Sequence, residues 1–579
     1  MKRLRYFLKY AFQFKTLILL SLLLILVDVS ITTVMPWFMS EIIDRGVLAG
    51  SLKTVKRLSL LMVLIAFAGS LSSFFFNAAA SVFSQRMSNR MRKDLFRNIH
   101  SLSYGQTDQI SSGTLLTRVM SDTQIVTQFG AAFFQMLVKP GLLFVFGFVM
   151  VLVFSGSYAW IFAVAIPLQV LILILFMKRL TPLFLSIQLR IEKINSRVQE
   201  TLTNLRLIKS YVHQDYENRN YREDNDDLLK LNLKIQYSLA VMNPLIMLIV
   251  NFVMIAVIAM SSRLVSRSGL EIGDVMAVIM YIQQIMMSLM MIGQIYQATA
   301  KTLISCGRLE EIQRMKPTLP DGTKELLEPV QALEARDISF FYPGAGENSK
   351  PALSHVSFQV PAGSFIGITG PTGSGKSTLV SLLARFAAAS SGMVLLNDTN
   401  ILEWSSSSVG RKIAVALQKP ALCAGTIEEN IRYGMDDASP EEVRFAASVA
   451  QADTFISAMP DGYGTDVTQS GASLSGGQKQ CIALARSLLR KPDVLILDDS
   501  TSSMDLITES RFHTALREHY PALTLIVVSQ RIHSILHADR ILLLENGCLS
   551  ASGTHQELQK QSALYSEICR VQEIGEVIS

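Results

Sequence analysis

The residues best suited to chemistry form a glycine-rich loop in the second half of the chain, with the pattern G-x-x-x-x-G-K-[ST]. Gly373 and Gly375 let phosphate oxygens approach backbone N–H groups, which side chains at those positions would block. Lys376 supplies a positive charge for the β and γ phosphates, and the Ser377 hydroxyl is a ligand for Mg²⁺. The loop therefore predicts a triphosphate site formed by Gly370, Pro371, Thr372, Gly373, Ser374, Gly375, Lys376, Ser377 and Thr378.

Two further segments bear oxygen ligands or an aromatic ring. Residues 494–499 are an apolar strand that ends in two carboxylates. Asp498 fits the Mg²⁺ position beside a phosphate loop, and Asp499 stands where a base for the attacking water would lie. Tyr342 ends an aromatic strand and could stack on adenine, although a lone aromatic residue is more often part of a core.

A second pair of glycines, Gly476 and Gly477, begins another predicted helix directly after Leu474 and Ser475. Glycines at a helix N-terminus form an anion site. Because the chain already has its phosphate loop, this second start suggests a site that another copy of the domain completes. Its residues are Ser475, Gly476, Gly477 and Gln478.

The phosphate loop needs a strand before it and a helix after it. Residues 364–369 have the pattern of a buried strand, and residues 378–388 that of a helix whose positive end faces the phosphates. A chance glycine turn would lack both neighbours.

The first half of the chain predicts membrane spans. Of the 579 residues, 50% are hydrophobic and only 17% charged, which is too apolar for an ordinary soluble enzyme. Each of six apolar runs can cross a hydrocarbon core ~30 Å thick at ~1.5 Å per residue. The runs are residues 16–39, 58–83, 129–154, 160–177, 238–260 and 275–298.

Basic residues predict the orientation of these spans. They concentrate at the N-terminus, after the second run and between the fourth and fifth runs. The positive-inside rule then places both termini and the two long connections in the cytoplasm, with the chain in the cytoplasmic membrane. The five cysteines have no metal-site or paired spacing and are interpreted as reduced cytosolic thiols. No removable signal peptide is expected.

Two features of the spans have an open interpretation. Asp28 lies within the first run, so it should face a partner or a wet cavity, or else be a protonated or snorkelling carboxylate without a transport role. The sixth run suits either a pocket for varied amphipathic compounds or plain helix packing. It is rich in thioethers and amides, namely Met280, Gln283, Gln284, Met286, Met287, Met290, Met291 and Gln294.

These patterns predict a multidomain membrane protein. Residues 1–310 form an all-α transmembrane domain of six helices with long cytoplasmic extensions, residues 311–331 a linker, and residues 332–579 an α/β P-loop nucleotide-binding domain.

The order of motifs resembles the nucleotide-binding domain of an ABC transporter. Tyr342, the phosphate loop, Gln418, LSGGQ and Asp498 follow one another as in that family, then SSMD and SQR. With six spans ahead, the whole chain resembles a half-transporter of the ABC exporter type.

The resemblance implies a dimer of two such halves, with ATP and Mg²⁺ bound at two shared sites. Each site takes the phosphate loop from one half and Ser475 to Gln478 from the other, while Ser377, Gln418 and Asp498 hold the metal. It further implies that Asp505 lies across the dimer, and that residues 103–114 and 206–216 contain helices that couple the spans to the nucleotide-binding domains.

The chain departs from the family pattern at four positions. The usual catalytic glutamate is Asp499, whose carboxylate is one methylene shorter, and the switch histidine is Gln530, which cannot carry a proton. Gln469 and Cys481 replace a glutamate and an arginine. The departures resemble the degenerate-site subunit of heterodimeric bacterial multidrug exporters, so we expect weak ATP hydrolysis at this chain's own site and a different half-transporter as partner.

The expected function is ATP-driven export of amphipathic compounds of the multidrug, lipid or peptide class. One alternative is a homodimeric lipid or peptide flippase, and another is a membrane-bound ATP sensor without transport. Membrane lipids and an amphipathic substrate are the other expected partners. Nucleic acid is not one, because ATPases of DNA repair or translation that share this domain lack membrane spans.

Overall fold

The computed structural model describes residues 2–154, 156–268, 271–319, 321–342, 350–468, 471 and 473–578. It divides into two compact units. A membrane unit contains Met1–His100 and Ser111–Met315, and a nucleotide unit contains Ser101–Ile110 and Lys316–Ser579.

Helices make up the membrane unit. The helices of the first half of the chain are, in order, α1 Lys2–Ala11, α2 Lys15–Ile42, α3 Leu52–Ser101, α4 Tyr104–Gln109, α5 Ser112–Thr117, α6 Thr123–Ala132, α7 Lys139–Phe154, α8 Ala159–Thr203, α9 Leu205–Ser210, α10 Gln214–Ser268 and α11 Ile272–Arg314. Helix α4 is the exception among them, because it belongs to the nucleotide unit. Single π-helical turns at Ile43–Leu48, Arg118–Asp122 and Phe133–Val138 connect several of them.

Within the described residues, six helical stretches are long and apolar enough to cross a membrane, which confirms the six predicted spans. Several continue far beyond the apolar run. Helix α3 has 50 residues and is therefore about 75 Å long, more than twice the thickness of a hydrocarbon core. Helices α8 and α10 extend similarly on either side of the short helix α9.

Aromatic and methionine side chains form the core of the membrane unit. Phe76, Phe83, Met87 and Met91 recur at helical spacing on one face of α3 and are fully or almost fully buried. Gly69 on the same helix allows close packing, because a Cβ there would lie 2.7 Å from a methyl group of Ile31.

The nucleotide unit contains two main sheets and their helices. The strands are β1 Ala332–Phe340, β2 Leu353–Pro361, β3 Phe365–Thr369, β4 Ser391–Leu396, β5 Thr399–Asn400, β6 Ile413–Ala416, β7 Gly425–Thr426, β8 Asp466–Val467, β9 Val494–Asp498, β10 Thr524–Val528, β11 Arg540–Glu545 and β12 Cys548–Gly553. The helices are α12 Lys376–Leu383, α13 Ser406–Lys412, α14 Ile427–Arg432, α15 Pro440–Val449, α16 Asp453–Ser457, α17 Gly476–Leu489, α18 Leu506–His519, α19 His555–Gln561 and α20 Ala563–Ile578.

The six-stranded sheet has the order β12-β11-β3-β10-β9-β6. It is parallel except for the antiparallel edge pair β11 and β12. A four-stranded antiparallel sheet has the order β2-β1-β4-β5. The central strands are apolar on both faces because helices cover them, as parallel sheets require. The α/β class predicted for this half is therefore confirmed.

The helix after the phosphate loop differs from its prediction. It covers Lys376–Leu383, whereas the sequence pattern predicted residues 378–388. The helix ends early because Arg385 adopts a left-handed φ of 58°. The buried Arg385 side chain is held there by the Ser406 hydroxyl and lies near Asp321.

The short helix α4 contacts the rest of the nucleotide unit. The Tyr104 ring lies over Phe386 with a centroid distance of 5.8 Å. The Gln106 amide donates to the Lys316 carbonyl at 3.0 Å, and the hydroxyls of Ser103 and Thr318 are 2.6 Å apart. These contacts fix the turn between α3 and α5 to this unit.

Candidate nucleotide site

A cleft of about 380 Å³ opens at the carboxyl ends of β3, β9 and β10. Open parallel sheets bind ligands at this edge. The cleft brings together residues that the sequence places up to 188 positions apart, from Tyr342 to Gln530. Its lining consists of Tyr342, Ala352, Thr372, Gly373, Gly375, Lys376, Ser377, Thr378, Gln418, Asp498, Asp499, Val528, Ser529 and Gln530.

The two glycines of the loop are required for different reasons. Both have left-handed backbones, with φ of 82° at Gly373 and 98° at Gly375. A Cβ at Gly373 would meet nothing within 4 Å, so only the backbone conformation and the approach of a ligand favour glycine there. A Cβ at Gly375 would lie 2.7 Å from the Ala352 carbonyl oxygen, so the fold itself excludes a side chain.

Lys376 begins helix α12 and is held by the loop that precedes it. Its ammonium group donates hydrogen bonds to the carbonyl oxygens of Gly370 and Pro371, both at 2.8 Å. Burial lowers the pKa of Lys376, and the nearby carboxylates of Asp498 and Asp499 oppose that shift. The charge is thus fixed at the mouth of the loop, where phosphate oxygens would approach the helix N-terminus.

Ser377 and Asp498 offer an oxygen pair suited to Mg²⁺. The Ser377 hydroxyl donates to Asp498 Oδ1 at 3.3 Å. Burial raises the pKa of Asp498, and the Ser377 hydroxyl and the nearby Lys376 ammonium oppose that shift. A hydroxyl and a carboxylate are the hard oxygen donors that Mg²⁺ prefers, so the residues present fit the metal.

Asp499 and Gln530 both face this cleft. Asp499 has a left-handed φ of 50°, which ends strand β9 and turns the residue away from the strand direction. The Gln418 amide donates to Asp499 Oδ2 at 3.1 Å, and burial raises the pKa of the carboxyl. Gln530 is exposed and contributes an amide where the family pattern has an imidazole.

Tyr342 lies at the rim of the cleft rather than in a core. Its side chain is 58% exposed, and its hydroxyl is 2.9 Å from the Thr378 hydroxyl. The ring packs edge-on against Phe340 with a centroid distance of 5.1 Å. Among the described residues, the exposed part of the ring is therefore open to a flat ligand such as adenine.

The second predicted anion site is not part of this cleft. Ser475 caps helix α17: its hydroxyl accepts from the Gln478 backbone N–H at 3.3 Å, and the Gln478 side chain accepts from the Ser475 N–H at 2.9 Å. None of Ser475, Gly476, Gly477 and Gln478 lines the cleft. One chain therefore does not bring its own phosphate loop and its own LSGGQ sequence together.

The other residues that the sequence singled out, including the departure at Cys481, have different surroundings. Cys481 is buried on α17, and burial raises the pKa of its thiol to about 12. Asp505 caps α18 by accepting from the Thr508 N–H at 3.2 Å. Gln469 and the Gln294 side chain lie outside the described residues.

Sequence reasoning missed a buried carboxylate behind the cleft. Glu509 is only 1% exposed and accepts hydrogen bonds from the hydroxyls of Thr501 and Ser534, both at 2.7 Å. Arg531 lies 3.8 Å from it and donates to the Ser502 carbonyl at 2.8 Å. An acidic residue on the apolar face of α18 was the available signal, since it precedes the buried Phe512 by three positions.

Asp28 in the membrane unit has both a partner and a cavity. Its carboxylate forms an ion pair of 2.7 Å with Lys139, and its side chain is 6% exposed. It also lines a cavity of about 530 Å³ together with Met280, Gln283 and Gln284. The two features singled out in the spans therefore meet in one place.

A phosphate loop on a parallel sheet, an adjacent Mg²⁺ position and six membrane helices in one chain define a membrane-bound P-loop ATPase. Residues 18–289 match the family described as the ABC transporter transmembrane region, and residues 353–502 match the family described as ABC transporter. The chain belongs to the ABC transporter family.

Relatives and a solved structure share this organisation over nearly the whole chain. The uncharacterized ABC transporter ATP-binding protein YfiB of Bacillus subtilis is 32% identical, with 95% of both chains covered. A fatty acid ABC transporter ATP-binding/permease protein of Mycobacterium tuberculosis is 31% identical, with 84% of this chain and 76% of that protein covered. The structure of a bacterial Atm1-family ABC exporter with ATP bound has a TM-score of 0.82 and 25% identity, covering 96% of this chain and 99% of that one. The protein is an exporter-type ABC transporter with a fused ATPase domain.

Proposed function

We propose that this chain is one half of a heterodimeric exporter in the cytoplasmic membrane and supplies the phosphate-loop side of a slow ATP site. The observation that carries the proposal is the pairing of Asp499 and Gln530 in one cleft. A general base must reach the proton it abstracts, and Asp499 is shorter than the usual glutamate and bonded to Gln418. Gln530 has no titratable group that could replace the switch histidine.

The chain's own residues keep the functions that precede hydrolysis. Lys376 and the backbone N–H groups of the loop bind the phosphates, and Tyr342 stacks on the base. Ser377 and Asp498, with Gln418, would hold Mg²⁺, which when bound neutralises developing charge on the phosphates. Asp499 orients water less well than a glutamate would, so ATP stays bound through several cycles.

A second chain completes each site in this proposal. The intact Ser475 to Gln478 sequence lies outside the chain's own cleft, which supports its use by a partner's ATP. The segment around α9 also favours a partner. It exposes large apolar side chains, namely Leu205, Leu207, Tyr211 and Val212.

Closure of the two nucleotide-binding domains would move the spans through the cytoplasmic turns. The contacts of α4 with Phe386 and Thr318 support that role for the first turn. Hydrolysis at the competent site of the dimer then resets the spans from the outward-facing to the inward-facing state.

The cargo is proposed to be an amphipathic compound. The cavity beside Asp28 combines amides and thioethers, a lining that adapts to varied apolar groups and still offers hydrogen bonds. The relative named for fatty acid transport, which matches 84% of this chain, favours a lipid cargo, which is the cargo of the alternative homodimeric flippase.

A comparison of ATP hydrolysis in lipid nanodiscs tests the proposal. The full chain purified alone should hydrolyse ATP slowly, and the double variant Asp499→Glu with Gln530→His should raise kcat by about 10²-fold or more, the usual contribution of a positioned base. Lys376→Ala in the double variant is the control and should abolish the gain.

Fast ATP hydrolysis by the unaltered chain alone would overturn the proposal of a slow site. An unchanged kcat in the double variant would show that Asp499 and Gln530 are not what limits turnover. Co-purification of the natural chain with a distinct half-transporter separates the heterodimer from the homodimeric flippase, and flux of an amphipathic dye into sealed vesicles excludes a sensor without transport.

A further inference from the structure

A groove between α8 and α10 has a composition that ATP binding does not explain. Its volume is about 600 Å³, and both helices belong to the membrane unit. Arg179, Lys230 and Lys234 line it, together with the apolar side chains of Phe176 and Leu233. Among the described residues no carboxylate lines this groove, so its lining combines basic and apolar side chains without an acidic one.

The groove lies where both helices change from polar to apolar. The apolar run of α8 ends at Met177, just before Arg179, and that of α10 begins at Ser238, one turn after Lys234. The basic groups are therefore at the water side of the boundary, and Phe176 is at the hydrocarbon side. This arrangement is that of a membrane interface.

The charges of the groove are largely available to a ligand. Lys230 forms an ion pair of 3.7 Å with Asp227, and Asp227 also pairs with Arg190 at 3.2 Å, so its negative charge is divided between two cations. No ion pair involves Arg179 or Lys234 within the part of the chain that the structure describes. Two unpaired cations facing one groove without a carboxylate favour an anionic ligand.

We propose that this groove binds the phosphate headgroup of an anionic phospholipid of the cytoplasmic leaflet. The planar Arg179 guanidinium matches a phosphate bidentately, and Lys234 adds a point charge. The acyl chain lies along Phe176 and Val241, which line the groove on the hydrocarbon side and which a free phosphate ion would leave uncovered. Tyr237 lines the same groove at headgroup level, where amphipathic rings are favoured. The leaflet rests on the proposed orientation, but the chemistry of the groove does not depend on the ATP site.

Native mass spectrometry of the full chain without nucleotide tests the site. The delipidated protein is titrated with phosphatidylglycerol or with phosphatidylcholine of the same acyl length. We expect tighter binding of phosphatidylglycerol, and roughly 25-fold weaker binding of it in the double variant Arg179→Gln with Lys234→Gln, at about five-fold for each lost charge. Binding of phosphatidylcholine should stay unchanged.

A matched control removes two exposed charges from the distal part of α10, Arg219→Gln with Arg222→Gln, and should alter phosphatidylglycerol binding less than two-fold. Equal binding of both lipids, or unchanged binding in the groove variant, would overturn the proposal. Displacement of phosphatidylglycerol by millimolar inorganic phosphate would also overturn it, since the ligand would then be a free anion. None of these outcomes depends on ATP hydrolysis, so they leave the proposed slow site untouched.

Discussion

Gly373 and Gly375 stand two positions apart in the phosphate loop and differ in what surrounds them. Both backbones are left-handed, but only Gly375 has a neighbouring oxygen where a Cβ would be. A left-handed conformation costs an alanine ~1–2 kcal/mol, and a 2.7 Å approach forces the chain to move as well. A side chain at Gly373 would therefore cost backbone strain alone, whereas a side chain at Gly375 would cost both backbone strain and steric overlap.

The first prediction compares alanine at the two positions. Gly373→Ala should lower the stability of the nucleotide unit by ~1–2 kcal/mol, and Gly375→Ala by clearly more, because the fold must also shift at Ala352. Unfolding followed by Trp404 fluorescence in a Trp37→Phe, Trp160→Phe background measures this, since Trp404 is then the only tryptophan. Equal losses at both positions would contradict the packing argument.

Helix α18 forms hydrogen bonds to two loops near the ATP cleft, one after β9 and one after β10. Glu509 bonds to Thr501 in the loop after β9 and to Ser534 after β10. His513 lies one turn further along, 15% exposed, with its Nε2 4.0 Å from Glu509. Burial lowers the pKa of His513 to about 4, with Glu509 opposing the shift and Arg517, His533 and His537 adding to it.

The second prediction concerns the pH dependence that this helix creates. The His513 pKa is about 4 in the folded chain and near 6.5 unfolded, so the unfolded state binds the proton more tightly. The contribution of neutral, buried His513 to the free energy of unfolding is present above pH 6.5 and is lost as the pH falls toward 4. Between pH 7.5 and pH 5.0 the free energy of unfolding should fall by roughly 2 kcal/mol.

Denaturant unfolding at the two pH values, with the same Trp404 probe, measures this loss. His513→Leu should remove most of it, whereas the wild-type difference should persist in a control such as His519→Leu, which replaces an exposed histidine at the end of the same helix. A pH dependence unchanged in His513→Leu would contradict the assignment.

At the scale of the whole molecule, the segment around α9 is the clearest sign that one chain is incomplete. Tyr211 is 75% exposed, Val212 80% and Leu207 56%, at the far end of the long extensions of α8 and α10. Such a contiguous apolar surface favours a protein partner. The exposed position means that substitutions there should not disturb the fold of the chain itself.

The third prediction is that Leu207→Asn with Tyr211→Asn weakens the dimer without destabilising the protomer. Buried apolar side chains at the centre of an interface contribute ~2 kcal/mol or more, so the apparent Kd of the dimer should rise roughly thirty-fold. Energy transfer between labelled chains in detergent measures it. Leu229→Asn, exposed on α10, is the control. An unchanged Kd would exclude this segment from the interface.

Much of the fold followed from local patterns. The six apolar runs are long enough to predict membrane spans. The phosphate-loop sequence predicts the strand before it and the helix after it, because such a loop connects these two elements. Helix α12 ended earlier than its pattern predicted because the left-handed Arg385 is held through contacts with Ser406 and Asp321, which are distant in sequence.

The sequence alone determined the chemistry that the chain carries: a lysine for phosphate, oxygens for Mg²⁺, and an aspartate and a glutamine where a glutamate and a histidine are usual. Only the tertiary structure decided through which contacts these residues meet. It brought Tyr342, Lys376, Asp499 and Gln530 into one cleft and left Ser475 outside it. It also joined Asp28 to Lys139 and made Glu509 a shared acceptor for two loops. Such pairings depend on how the strands and helices pack, and side-chain spacing along one element contains no information about its distant neighbours.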